Sequence, residues 1–197
     1  MTITIKDAFG ANVVVPAPVS SGTATSANSV PVVIASDQAP VYCGSLNFQT
    51  APIVPTIQNS AYALGNVIGG KITVTIFRTT TQPSATLSQF MIGWAGTETV
   101  SITVYLFNKN PTGSTTTDKT AFTLAVADAQ YLVTAPFSLV AAATPGSTQT
   151  FASQALTVST QNRDTTATQN LYVVLTVGGA VTPAVGDLFF SISGVLD

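Results

Sequence analysis

The sequence predicts an all-β protein: a single β-sandwich of jelly-roll type over residues 58–197, preceded by an extended N-terminal arm over residues 1–57. Three observations predict it. Apolar residues alternate with Thr and Ser, with a period of two, in segment after segment beyond residue 58. Turn-forming clusters separate these segments, and no long amphipathic helix intervenes. Prolines crowd the first 55 residues, where the apolar runs are too short to build a core.

The arm comes first. Pro16, Pro18, Pro31, Pro40, Pro52 and Pro55 each fix φ, remove an N–H donor and push the preceding residue towards extended geometry. Ser20 to Ser29 is a small, polar tract suited to a flexible link. Val13-Val14-Val15 and Val32-Val33-Ile34 interrupt it. Such a segment is expected to be ordered by the surface on which it lies.

The strands follow. Ile72, Val74 and Ile76 alternate with Thr73 and Thr75; Val100, Ile102, Val104 and Leu106 alternate with Ser101, Thr103 and Tyr105. Leu171, Val173, Leu175 and Val177 repeat the pattern, and Leu188, Phe190 and Ile192 close it. This spacing sends one set of side chains to a core and the other outwards. Leu87–Ile92, Phe122–Val126, Phe137–Val140 and Phe151–Val158 are weaker strand candidates. Turns are expected at Asn110-Pro111-Thr112-Gly113, Pro145-Gly146 and Gly178-Gly179, with at most one helical turn over Val126–Leu132. Many short strands without helices between them indicate a sandwich, with the jelly roll the leading topology.

Composition bounds the function. Hydrophobic residues make up 46% of the 197, enough for a core, while charged residues make up 7%, against about 25% in ordinary soluble domains. Six Lys and Arg do not form the basic patch that nucleic acid requires. No run approaches the length of a membrane span, and MTITIKDAFG lacks the apolar stretch of a secretory signal. Ser and Thr supply roughly a quarter of the chain, so the polar surface is hydroxyl-rich and nearly neutral. That surface suits either a plain soluble β domain or a subunit that lives inside an assembly.

Candidate chemistry is sparse. With no histidine, no Ser-His-Asp or Cys-His pair exists. Cys43 has no basic neighbour in sequence to activate it and reads as a reduced structural thiol, or secondarily as an inter-subunit contact. Glu98 is the sole glutamate, and the aspartates are scattered without calcium-loop spacing, so Asp118 and Asp128 read as turn caps. Gly65-Asn66-Val67-Ile68-Gly69-Gly70-Lys71 has the spacing of a phosphate-binding loop, but Ile72 stands where Ser or Thr is needed and a strand follows where a helix should. Trp94, Phe90, Phe107, Phe122, Phe151, Phe189 and Phe190 lie in strand candidates and read as packing residues. The expectation is a non-enzyme with no catalytic residue, no metal and no cofactor.

Three segments carry a resemblance. Ser29-Val30-Pro31-Val32-Val33-Ile34-Ala35-Ser36-Asp37-Gln38 resembles a phrase in the N-terminal parts of tailed-bacteriophage virion proteins. Ala61 to Lys71 resembles the start of their β domain. Tyr105 to Thr112, with Thr117-Asp118 and Ala121-Phe122, resembles its middle. Among such proteins the chain is similar to capsid decoration, or cement, proteins. The resemblance implies a structural protein on the capsid exterior, made in the host cytoplasm, whose partners are the major capsid protein and its own copies as a homotrimer, with no nucleic acid and no membrane. Val32, Val33, Ile34 and Asp37 are the candidate partner contacts. The alternative function is a receptor- or glycan-binding module of a head or tail fibre.

Overall fold

The computed structural model describes residues 2–6, 12–16, 46–77, 84–96, 98–142, 149–164 and 170–196. It divides into two compact units, Met1–Cys43 and Gly44–Asp197. In the first unit, β1 (Thr2–Lys6) pairs antiparallel with β2 (Asn12–Pro16), Thr2 facing Pro16 and Lys6 facing Asn12. Both strands are rich in β-branched residues, which fit a pleated ribbon.

The second unit is a β-sandwich. Its strands are β3 (Leu46–Gln49), β4 (Val67–Thr75), β5 (Ser84–Trp94), β6 (Val100–Phe107), β7 (Phe137–Ala141), β8 (Thr150–Gln161), β9 (Asn170–Val177) and β10 (Leu188–Leu196). β3 pairs with β10, β4 with β9, β5 with β8 and β6 with β7, so the second half of the chain retraces the first. This long hairpin closes on itself through the β5–β10 and β6–β9 pairs. The result is two four-stranded sheets, β3-β10-β5-β8 and β4-β9-β6-β7, which is the strand order of a jelly roll. A short helix, α1 (Val126–Ala129), lies in the β6–β7 connection.

The core lies between the sheets. Ala85, Leu87, Phe90, Ile92 and Trp94 of β5 and Leu188, Phe190 and Ile192 of β10 meet Val100, Ile102, Val104 and Leu106 of β6 and Leu171, Val173, Leu175 and Val177 of β9. Phe90 stacks on Phe190, with ring centroids 5.3 Å apart, and meets Phe137 edge-on at 5.8 Å. The members from β6, β9 and β10 are the residues whose alternation marks those strands in the sequence.

Three features differ from the sequence reading. First, the sandwich draws on residues 46–57, assigned there to the arm. β3 adds to the β10 edge, Ile53 exchanges two backbone hydrogen bonds with Phe190 at 2.8 and 3.0 Å, and Ile57 is buried. Pro52 and Pro55 lie outside β3, so they remove no donor from its ladder. Second, Phe122–Val126 is not a strand. Ala121 and Thr123 make single bridges only, to Asn66 and Thr115. Phe122 and Leu124 instead turn onto a second apolar cluster.

Third, the outward residues of β9 are not exposed. Tyr172 and Val174, with Val67 and Phe107, form that second cluster, covered by Leu124, Tyr131 and Leu132 of the β6–β7 connection. Hydrogen bonds pin this connection down. Buried Asp128 accepts from the backbone N–H of Gly113 (2.9 Å) and Ser114 (2.7 Å) and from the Ser114 hydroxyl (2.7 Å). Asp164 accepts from the Tyr172 hydroxyl at 2.8 Å. Burial, followed by the Asp164 carboxylate, raises the Tyr172 pKa above its usual 10.0.

Candidate interaction surface

The two outer faces of the sandwich are built differently. The β4-β9-β6-β7 sheet is roofed by the connection just described. On that side the described lysines are held against aromatic rings: Lys109 Nζ lies 4.6 Å from the Tyr131 centroid, Lys119 Nζ 5.8 Å from Tyr62 and Lys71 Nζ 5.9 Å from Tyr172.

The β3-β10-β5-β8 sheet contains no Asp, Glu, Lys or Arg in any of its four strands. Its register defines rows across the face turned away from the core. Phe189, Gly93 and Phe151 form one row; Ser191, Met91 and Ser153 the next. Gln49, Ser193, Gln89 and Ala155 form a third, and Asn47, Val195, Thr86 and Ser159 a fourth. Hydroxyls bond to one another across strands, Thr86 to Ser159 at 3.0 Å and Ser88 to Ser193 at 3.3 Å. The Phe189 ring lies over Gly93, where a Cβ would come within 2.0 Å of it, and Phe151 meets Phe189 edge-on at 5.8 Å. Phe151 is 56% exposed. The sequence reading makes it a packing residue; its outward register position puts it on the surface.

Among the described residues this sheet ends in an unpaired edge at β8. β8 pairs with β5 on one side, and among the described residues no strand pairs with its other side. At twelve residues it is the longest of the described strands, and it contains neither proline nor a charged side chain. Natural edge strands are usually blunted by Lys, Pro, shortness or a covering loop, because free N–H and C=O groups recruit another strand. β8 has none of the first three.

The phosphate-loop spacing proves to be a turn and a bulge. Gly65 and Gly69 have φ of +81° and +78°, and the register of β4 against β9 shifts between Val67 and Lys71. The Gly69 N–H donates to Asp118 Oδ1 at 2.8 Å, and Lys71 Nζ donates to Asn110 Oδ1. The amide and the cation that an anion would use are taken by the chain's own groups. Among the described residues no group of three or more His, Cys, Asp or Glu is placed to hold a metal.

Val32, Val33, Ile34 and Asp37, the partner contacts expected from the sequence, lie outside the described residues, as does Cys43. The uncharged sheet and its edge are not singled out by the sequence reading. The signal is present: the four strand segments contain no ionisable carboxylate or basic side chain, but only the sheet order shows that they are neighbours. Compared with known proteins, the chain matches no protein-family model and no curated protein.

Proposed function

We propose that this chain is a structural protein of a tailed-bacteriophage particle, one that decorates and cements the capsid lattice from outside. Its partners are the major capsid protein and its own copies, assembled as a homotrimer. The observation that carries this reading is the uncharged sheet with its unblunted β8 edge. Burying such a face strips no ion of water, so the largest penalty of forming a contact is absent. The edge offers main-chain donors and acceptors to an extended segment of a neighbour, a mode of attachment that needs no particular side chain. Many copies of a modest contact, repeated over a shell, resist internal pressure without any catalytic group. The resemblance of residues 29–38, 61–71, 105–112, 117–118 and 121–122 to phage virion proteins supplies the particle; closed symmetry among identical subunits favours a cyclic oligomer.

Copy number tests the reading. Densitometry of purified particles is expected to give hundreds of copies per capsid. A handful per particle would overturn the lattice role and favour the fibre module. Light scattering on the purified chain is expected to give a trimer; a monomer at micromolar concentration would overturn the oligomeric part.

A further inference from the structure

We infer that Lys71 and Asn110 join in an intramolecular isopeptide bond, a covalent link between β4 and the β6–β7 connection that forms with loss of ammonia. The inference stands apart from the capsid reading. Lys71 follows the bulge of β4, and Asn110 lies just beyond the end of β6. β9 runs between β4 and β6 in the sheet. Lys71 reaches across it, with Nζ 5.9 Å from the Tyr172 ring centroid. The Lys71 Nζ meets Asn110 Oδ1 at 2.5 Å. A carbonyl bond is about 1.23 Å long, so the amide carbon Cγ lies within about 3.7 Å of the lysine nitrogen. Reacting atoms in a near-attack geometry stand roughly 3–3.5 Å apart.

The surroundings hold Asn110 in place. Its backbone N–H donates to Asp164 Oδ2 at 3.3 Å, and the same oxygen accepts from the Tyr172 hydroxyl at 2.8 Å. Asp164 and Tyr172 are both buried, and so is Pro111, the next residue in the chain. The proline also protects the amide. The common side reaction of an asparagine is attack on its own Cγ by the backbone nitrogen of the following residue. A proline nitrogen carries no hydrogen and cannot close that ring. At Asn110 the nucleophile placed beside Cγ is therefore the lysine amine.

The step balances without a co-reactant. The Lys71 lone pair attacks Asn110 Cγ; an N–C bond forms and the Cγ–Nδ2 bond breaks. The lysine enters as an ammonium and gives up two protons. The amide nitrogen takes both and leaves as an ammonium ion, and nothing is oxidised or reduced. The product closes a loop between residues 71 and 110, which constrains the unfolded chain as a disulfide would. A single cysteine allows no disulfide within this chain, so an amide link supplies the staple that cysteine cannot.

The test is denaturing intact-mass spectrometry of the full chain after prolonged incubation at neutral pH. The parent is expected to be lighter than its sequence by one ammonia. Its tryptic digest is expected to contain a branched peptide in which Lys71 is uncut and joined to the segment carrying Asn110. Lys71→Arg keeps a positive charge at this exposed position but removes the nucleophilic amine. It is expected to keep its full sequence mass and to melt several degrees lower, as for a lost cross-link. Asn110→Ala is likewise expected to keep its full mass. The proposal is overturned if the incubated parent retains its full sequence mass. It is equally overturned if the digest maps the lost ammonia to another asparagine, or if Lys71→Arg loses ammonia as the parent does. The parent's mass and digest decide the matter even where a variant fails to fold.

Discussion

The Tyr62 hydroxyl lies 2.9 and 3.0 Å from the two Asp118 carboxylate oxygens, and the same carboxylate accepts the Gly69 N–H at 2.8 Å. Three separate stretches of chain thus meet at one acid: the strap before β4, the β4 bulge and the β6–β7 connection. Tyr62 also accepts from the Gln58 N–H at 2.9 Å. Burial pushes the Tyr62 pKa up to about 12; the Gln58 bond opposes the shift, and the Asp118 carboxylate adds to it.

That shift gives an alkaline limit to stability. In the unfolded chain the tyrosine ionises near its ordinary value of 10.0. In the folded chain it keeps its proton until about 12. Between these values the unfolded state binds fewer protons than the folded one, so raising the pH favours unfolding. The stabilisation is complete below pH 10 and is lost as the pH rises through about 12. Denaturant midpoints measured from pH 8 upwards are expected to stay level and then fall. In Tyr62→Phe the fall should be shallower, with Tyr172, whose pKa is also raised, accounting for part of what remains.

Gly69 ties the strap to the bulge. Its φ is +78°, and a Cβ there would lie 2.4 Å from Pro55 Cβ. An alanine meets both a left-handed backbone penalty of about 1 kcal/mol and a steric clash costing about 1–3 kcal/mol. Gly69→Ala is therefore expected to lower stability by at least about 2 kcal/mol. Gly179 supplies the control, because a Cβ there meets nothing within 4 Å and no positive φ is required. Gly179→Ala should leave the melting temperature unchanged, and calorimetry on the pair checks the contrast.

Alternation makes most of the sandwich legible. Leu171, Val173, Leu175 and Val177 point into the core as their spacing says, and so do Val100, Ile102, Val104 and Leu106. The first of these segments carries a second message that period two conceals. Leu171 to Leu175 is an unbroken apolar run, the mark of a strand buried on both faces. Its cover, Phe122, Leu124, Tyr131 and Leu132, lies in a connection whose turns hide its purpose. β3 escapes notice for the opposite reason. Leu46–Gln49 is too short to show a period and sits beside prolines, so its strand character comes from pairing with β10 rather than from its own residues. The uncharged sheet is written in four separate segments, and only the strand order brings them to one face.

The position of β3 moves the boundary at which the arm can be removed. The sandwich unit starts at Gly44. A chain of residues 44–197 keeps β3, the Ile53–Phe190 bonds and buried Ile57, and is expected to fold with a sharp thermal transition. A chain starting at residue 56 loses the β3 ladder and the Ile53–Phe190 bonds and exposes the β10 edge. It is expected to be less stable by several kcal/mol, in line with losing a set of backbone bonds and the packing of Phe48 and Ile53 on the core. Circular dichroism melts of the two truncations decide this. Equal melting temperatures would mean that residues 46–55 contribute nothing to the sandwich.

The uncharged sheet yields the sharpest test of assembly. Ser153 and Ala155 lie in neighbouring outward rows of β8, both exposed, on the edge strand that no other described strand pairs beyond. Replacing both with Lys adds charge to a sheet whose four strands carry none, without touching the core. Stability should change by less than about 0.5 kcal/mol, as for ordinary surface substitutions. If a neighbouring subunit or the capsid covers this face, each new ammonium must be stripped of water without a partner, which costs several kcal/mol per ion. Attachment to undecorated particles is then expected to weaken by about a hundredfold or more, since each 1.4 kcal/mol is tenfold. Co-sedimentation over a range of protein concentrations measures the loss, with circular dichroism as the folding control. Val126→Lys, at an exposed position on α1 in the β6–β7 connection rather than on a strand of this sheet, provides the comparison and should attach normally. Attachment of the double variant at parental strength would assign the contact to another face of the sandwich.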